Sequence, residues 1–413
     1  MEPCYSRPMF YGWWIVLVGL IVQAVGAGTV SYSYSVVAHY LGQEFQAGRM
    51  AMMAGITGCT LVGGLVSPTL GTLADRHPMR LLMVAGALSL AIGFNALSFT
   101  TAVWQVAVCY ALFMSSATML LGPLTATTLI ARWFSGRRGV ALGIAAVGTS
   151  LGGFLFPPLL HSLMSGFGWR VACRVLGLLI LGLTVPLAWF IVLDHPADKG
   201  LHPDGAHDIG AHAAPATTEG HLSTAAILRR AEFWLIALGV GVLFAVYTAV
   251  LTNLVPFAVG RGLTAARAAM LVSLLSMAGI VGKLAFGLAA DRVDLRLALA
   301  VAMLLVCLAL ALFRAVDPSW LLWCGSAALG LAAGGMLPVW GAMLGKAFGV
   351  ANYGRAMGLM TPVLMPFTLV SPPLAGRIFD VTGDYRLVFE IFFVAVVVSA
   401  MALTRLPAMR RAA

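Results

Sequence analysis

The chemistry available to this 413-residue chain centres on Lys283, which stands four positions before Gly287 and eight before Asp291 inside an otherwise apolar block near 267–290. On a helix that rises 1.5 Å per residue, it lies about 12 Å inside the polar end of that block. A cation so deep in an apolar span costs at least ~2.5–3.5 kcal/mol to insert, so it should face a cavity and meet an anion. Tyr32, Tyr34, Tyr110, Tyr247, Asn253 and Trp340 can supply the remaining polar contacts of a binding site, and Tyr32, Asn253 and Lys283 are the first choices. No acidic residue falls in the middle of an apolar block, which removes the commonest intramembrane proton carrier. That leaves two weaker coupling candidates, His161 and Asp380, the latter placed three residues from Arg377 on one helical face so that the two can pair. Five histidines between 195 and 221 have gaps of 7, 5, 5 and 9 without ligand-spaced cysteines, so neither a metal nor a cofactor is expected. A nucleophile–base pair is also missing at this depth, so binding rather than catalysis is expected.

What must hold these residues is membrane-embedded. Hydrophobic residues make up 61% and charged residues 10% of the chain, and its mean hydropathy is +0.95. Soluble domains average roughly 45–50% apolar and 25% charged, so a soluble globule is excluded. Twelve blocks can each supply the ~20 apolar residues that cross a bilayer. They lie near 11–37, 50–73, 79–99, 103–131, 139–163, 169–193, 232–259, 267–290, 295–315, 319–345, 355–380 and 385–406. The first block is not closed by a small-residue cleavage site and reads as a retained helix. The net charge of +10 does not call for nucleic acid, because the basic residues sit in short loops between the blocks. With the N-terminus cytoplasmic, sixteen of the 25 Lys and Arg fall on the cytoplasmic side and eight on the other, with Lys283 remaining. That bias orients both termini to the cytoplasm.

The blocks repeat. Gly71-Thr72-Leu73-Ala74-Asp75-Arg76 ends the second and Gly287-Leu288-Ala289-Ala290-Asp291-Arg292 ends the eighth, an offset of 216 that Arg80 and Arg296 share. Gly143 with Gly358 and Pro157-Pro158 with Pro372-Pro373 repeat at 215. The expected architecture is all-α, with twelve transmembrane helices in two six-helix pseudo-repeats over 1–193 and 231–413. An aperiodic polar segment over 194–230 joins them as a flexible cytoplasmic linker. Two parallel repeats of this kind suit a rocking transporter whose site lies at the midplane between them.

The duplicated G-x-L-A-D-R signature, followed four positions on by a basic residue, resembles the major facilitator superfamily. The resemblance implies that Asp75, Arg76 and Arg80, with Asp291, Arg292 and Arg138, control the change between conformations. Phe10-Tyr11-Gly12-Trp13-Trp14, Arg132-Trp133-Phe134 with Arg137-Arg138-Gly139, and Gly282-Lys283-Leu284 are similar to the bacterial monocarboxylate-transporter-like and oxalate/formate-exchanger branch. In that branch the eighth helix usually carries an arginine that binds the substrate carboxylate. Lysine at this position replaces a planar fork with a point charge. The mammalian monocarboxylate transporters also place an aspartate one turn earlier, here Gly279, and a lysine in helix 1, where this chain reads Tyr32-Ser33-Tyr34-Ser35. The exchangers' second lysine, in helix 11, is missing from 355–380. The resemblance therefore implies a monomeric carrier of a small organic anion, a monocarboxylate, moved with a proton or against a counter-anion across a bacterial inner membrane. Efflux of a drug-like compound is disfavoured by the positive sign of the deep charge, and a receptor without transport lacks an output domain in this sequence.

Overall fold

The computed structural model describes residues 10–134, 138–202, 223–290, 293–315, 319–348 and 350–406. Among them twelve helices are long and apolar enough to cross a membrane. We number these α1 Gly12–Glu44, α2 Arg49–Arg76, α3 Met79–Leu97, α4 Val103–Ile130, α5 Arg138–Phe167 and α6 Trp169–Ile191. The second six are α7 Ala231–Gly260, α8 Ala265–Ala290, α9 Leu295–Arg314, α10 Trp320–Phe348, α11 Val350–Thr382 and α12 Arg386–Leu403. An even number of crossings returns the chain to its starting face, so the start of α1 and the end of α12 share one side of the bundle.

Helices are the expected answer to these blocks, because in hydrocarbon every backbone N–H and C=O must be satisfied within the segment. Large apolar side chains left outside the protein, such as Leu65, Phe190 and Leu304 at 69%, 79% and 69% exposure, form the belt that lipid solvates. Where the helices are broken, hydroxyls repair them. In α4 the chain pauses at Gly122-Pro123, and Thr125 Oγ1 donates to the stranded Leu120 carbonyl at 2.7 Å.

Two helices contain a π turn, Gly28–Tyr32 in α1 and Tyr110–Met114 in α4. Ser33 N closes the first on Gly28 O at 3.0 Å, and the Ser33 hydroxyl donates to the same carbonyl at 2.7 Å. Such turns are frequent at functional sites. The first span runs beyond the 11–37 expected from its apolar residues because α1 continues past the bulge to Glu44.

The first six helices pack on one another through glycines. A Cβ on Gly152 of α5 would stand 2.0 Å from Ala24 O of α1, so only glycine lets these backbones meet. In the second six, Gly334 of α10 plays the same part against α8, where a Cβ would lie 2.4 Å from Gly279 O. The two sets then join along three pairs, α1 with α7, α2 with α11 and α5 with α8. The α2–α11 contact lies at the end opposite the termini, where a Cβ on Gly376 would fall 2.8 Å from Met50 N.

The connection between the sets, expected to be aperiodic, has a short helical turn at each described end, Pro196–Lys199 and Thr224–Leu228. The first is pinned by Lys199, whose Nζ sits 3.6 Å from the centre of the Tyr11 ring. Residues 203–222, with His207, His212 and His221, lie outside the described residues.

Candidate functional site

About 10 Å inside the C-terminal end of α8, Lys283 projects from the second set of helices into the first. Its ammonium donates to Ser150 Oγ at 2.9 Å, Thr149 Oγ1 at 2.8 Å and Ala146 O at 3.1 Å, all on α5. Three donors thus meet three neutral acceptors, and no carboxylate pairs with Lys283 among the described residues. Hydrogen bonds to a charged group contribute about 1.5–3 kcal/mol each, enough together to offset the cost of holding the charge at this depth.

The tyrosines extend the cluster. Tyr32 ends the π turn of α1, and its hydroxyl accepts from Tyr247 of α7 at 3.1 Å, a second bond across the seam. Ser150, already holding Lys283, interacts with Tyr32 as well. Gly153 of α5 fits between Tyr32 and Ser276 of α8, for a Cβ there would approach Ser276 Oγ to 2.2 Å. Tyr32, Thr149, Ser150, Tyr247 and Lys283 therefore form one polar patch built by both sets of helices. Thr149 and Ser150 were not singled out from sequence, since hydroxyls are common in membrane helices; the signal was their place on the glycine-rich face of α5.

The other expected residues lie elsewhere. Tyr34, two residues past the bulge, turns away from the seam, donates to Met52 O of α2 and meets Tyr110 of α4 edge to face at 4.9 Å. Tyr34 and Tyr110 are interior to the first six helices, and the Tyr110 hydroxyl has no partner among the described residues. Trp340 packs edge to face on Phe244 of α7 at 6.1 Å, one turn from Tyr247, with its indole N–H unpartnered. His161 Nδ1 is 2.9 Å from the Tyr40 hydroxyl within the first set, so it faces no seam.

Asn253 belongs to the end of the bundle opposite the termini. Its Oδ1 accepts from Tyr385 at 2.9 Å, and Tyr385 in turn accepts from Arg49 Nη1 at 2.9 Å. Burial pushes the Tyr385 hydroxyl up to about 12, against the pull of the Arg49 guanidinium. Asp380 does not take Arg377 as its partner. Its carboxylate reaches across the seam to the start of α2 and accepts from Arg49 N at 2.8 Å and Met50 N at 2.9 Å. The pairing expected from sequence gives way because two free amides at a helix N-terminus, with the helix dipole behind them, outbid one exposed arginine side chain.

At the termini end, Arg80 stacks on Trp189 at 5.4 Å. Asp291 and Arg292 lie outside the described residues, as do the side chains of Asp75, Arg76 and Arg138. Two aspartates cap helices at this end. Asp194 accepts from Met79 N at 2.7 Å at the start of α3 and pairs with Arg132 at 3.4 Å, and Asp294 accepts from Arg296 N at 2.9 Å at the start of α9.

The chain is similar in sequence and in fold to proteins already described. Human monocarboxylate transporter 11 is 29% identical over 78% of this chain and 68% of its own length. Mouse monocarboxylate transporter 12 is 25% identical over 96% and 86%. An MFS-type transporter of Aspergillus fumigatus is 26% identical over 76% and 72%. In fold, the chain is similar to a bacterial homolog of the human lysosomal transporter Spinster in its inward-facing, unoccupied conformation. The two superpose with a TM-score of 0.67 at 14% identity, over 97% of this chain and 95% of that one. The sequence profile of the Major Facilitator Superfamily matches residues 16–294 and 261–412. The chain is thus a transporter rather than an enzyme, and it belongs to the Major Facilitator Superfamily.

Proposed function

We propose that this protein carries a small organic anion, a monocarboxylate, by alternating access, with Lys283 as the cation that receives the carboxylate. The observation that carries the reading is the ammonium of Lys283 inside the span of α8, held by neutral acceptors of the opposite half and, among the described residues, by no acid. An arriving carboxylate replaces neutral acceptors with a charged one and so adds ion-pair attraction to the hydrogen bonds of the ammonium. It also releases α8 from α5, so binding loosens the seam on which rocking depends. Tyr32 and Tyr247 add hydroxyls on the remaining sides, and a single cation matches a single negative charge. The names of two relatives, monocarboxylate transporters 11 and 12, support this substrate class.

In this reading the halves are 1–193 and 231–413, the termini are cytoplasmic and the protein works as a monomer in a bacterial inner membrane. The α2–α11 contact then closes the outer side, an inward-facing arrangement. The transported charge is balanced by a proton travelling on the substrate acid or by a second anion in exchange.

Uptake of radiolabelled pyruvate by proteoliposomes tests the assignment. Lys283→Ala should abolish uptake while leaving the purified protein monodisperse, and Lys283→Arg should keep part of it with altered selectivity. Wild-type uptake by the alanine variant would sink the reading. An inward pH gradient or a load of internal pyruvate then separates proton symport from exchange.

A further inference from the structure

Arg49, the first residue of α2, divides two cavities at the end of the bundle opposite the termini. One, of ≈ 270 Å³, is walled by His39 and Gln43 of α1, Arg49, and Asn253 of α7. The other, of ≈ 290 Å³, is walled by Arg49, Arg261, Asp384 and Arg386. Each is roomy enough for a small carboxylate, though at or just below the usual range of roughly 300–1,000 Å³ for drug-sized ligands.

The charges around Arg49 do not cancel. Asp380 is taken by the two amides of α2. Asp384 is shared by Arg386 at 3.2 Å and Arg261 at 3.9 Å, and Glu44 is paired with Arg170 at 2.8 Å. The Arg49 guanidinium enters none of the ion pairs among the described residues. Its partners are neutral: Nη1 donates to the Tyr385 hydroxyl at 2.9 Å, and Cζ stands 3.7 Å from the centre of the Phe379 ring. A guanidinium has five N–H donors in a fixed fork, so this hydrogen bond leaves an edge free to face a ligand. The ring below fixes the plane of the fork and disfavours collapse onto a neighbour. The second cavity thus gathers three arginines around one carboxylate.

We propose that Arg49 is the centre of a second anion site, separate from Lys283, which takes a small carboxylate through two parallel N–H···O bonds. The site touches both halves at once, α1 and α2 from one and α7 from the other. A carboxylate on the open edge of the fork weakens the bond that Arg49 donates to Tyr385, while the bond that Tyr385 donates to Asn253 is kept. The site collects anions at the mouth that the α2–α11 contact closes and does not depend on what Lys283 binds.

The test uses full-length protein in detergent at low ionic strength, titrated with sodium pyruvate by calorimetry. In Lys283→Ala protein, where the lysine cation is gone, pyruvate should still bind. Adding Arg49→Gln should weaken that binding at least tenfold, whereas Arg49→Lys, which keeps the charge and loses the fork, should fall between the two. Tyr385→Phe on the Lys283→Ala background removes the competing acceptor and should bind pyruvate at least as tightly. If Arg49→Gln does not fold, the lysine and phenylalanine variants still decide. Absence of pyruvate binding to Lys283→Ala protein overturns the proposal, as does affinity unchanged by the Arg49 substitutions or weakened by Tyr385→Phe. None of these results bears on whether Lys283 is needed for uptake.

Discussion

Removing the Asp380 carboxylate should open the seam between α2 and α11. Its two oxygens accept from the first two amides of α2, at 2.8 and 2.9 Å, and helix and carboxylate come from opposite halves. Loss of such a cap costs about 0.5–2 kcal/mol in a single helix. Here the bond exists only while the halves touch, so the whole cost falls on the closed arrangement and none on the open one. About 1 kcal/mol changes the closed-to-open ratio roughly fivefold, and about 2 kcal/mol roughly thirtyfold. Spin labels at Gln43 and Arg267, exposed on opposite halves near this end, report the distance by double electron–electron resonance. Asp380→Ala should shift population from the short to the long distance by that factor. Asp380→Asn, which keeps one oxygen acceptor, should shift it less. If Arg377→Ala produced the same shift, or if Asp380→Ala left the distribution unchanged, the carboxylate would not be a latch between the halves.

Three further outcomes follow from the packing and the site. Gly152→Ala puts a methyl 2.0 Å from Ala24 O and should abolish recovery of folded protein by size-exclusion chromatography, whereas Gly143→Ala, with nothing within 4 Å, should be tolerated. Thr149→Val removes one of the acceptors that compete with substrate for Lys283, so pyruvate affinity at that site should rise about tenfold for ~1.5 kcal/mol, read by calorimetry in Arg49→Gln protein. Because Tyr385 titrates at about 12 when folded, above the usual 10, its neutral form favours folding below pH 10, and that contribution fades as pH rises through 12. The tyrosinate absorbance of wild type minus Tyr385→Phe should therefore show no step below pH 10 in folded protein.

The twelve spans were readable because a bilayer demands about twenty apolar residues per crossing and leaves few other ways to arrange them. Lys283 was readable for the same reason, since one charge in an apolar block announces itself. Which way a tyrosine faces was not. In a helix that is apolar all round, no stripe marks the inward side, and the π turn of α1 further separates Tyr32 at the seam from Tyr34 in the packed interior. Nor could sequence join Asp380 to Arg49, more than three hundred residues away, while Arg377 stood one turn off as an apparent partner. Asp194 and Asp294, which cap α3 and α9, carry no mark in the sequence because neither recurs at the offset of the repeat.

The π turn at Gly28–Tyr32 also bears on how this helix can change through descent. A bulge is one residue more than a regular helix needs, so deleting any single residue from it would restore an unbroken α1. Each residue turns the helix by about 100°. The bulge takes up its extra residue within one wide turn, so after such a deletion Tyr34 to Glu44 would keep the faces they now present to α2 and α7. Straightening the turn without a deletion would instead rotate those eleven residues by one step of the helix. A descendant could therefore lose one residue here more safely than anywhere else in α1, at the cost of moving Tyr32.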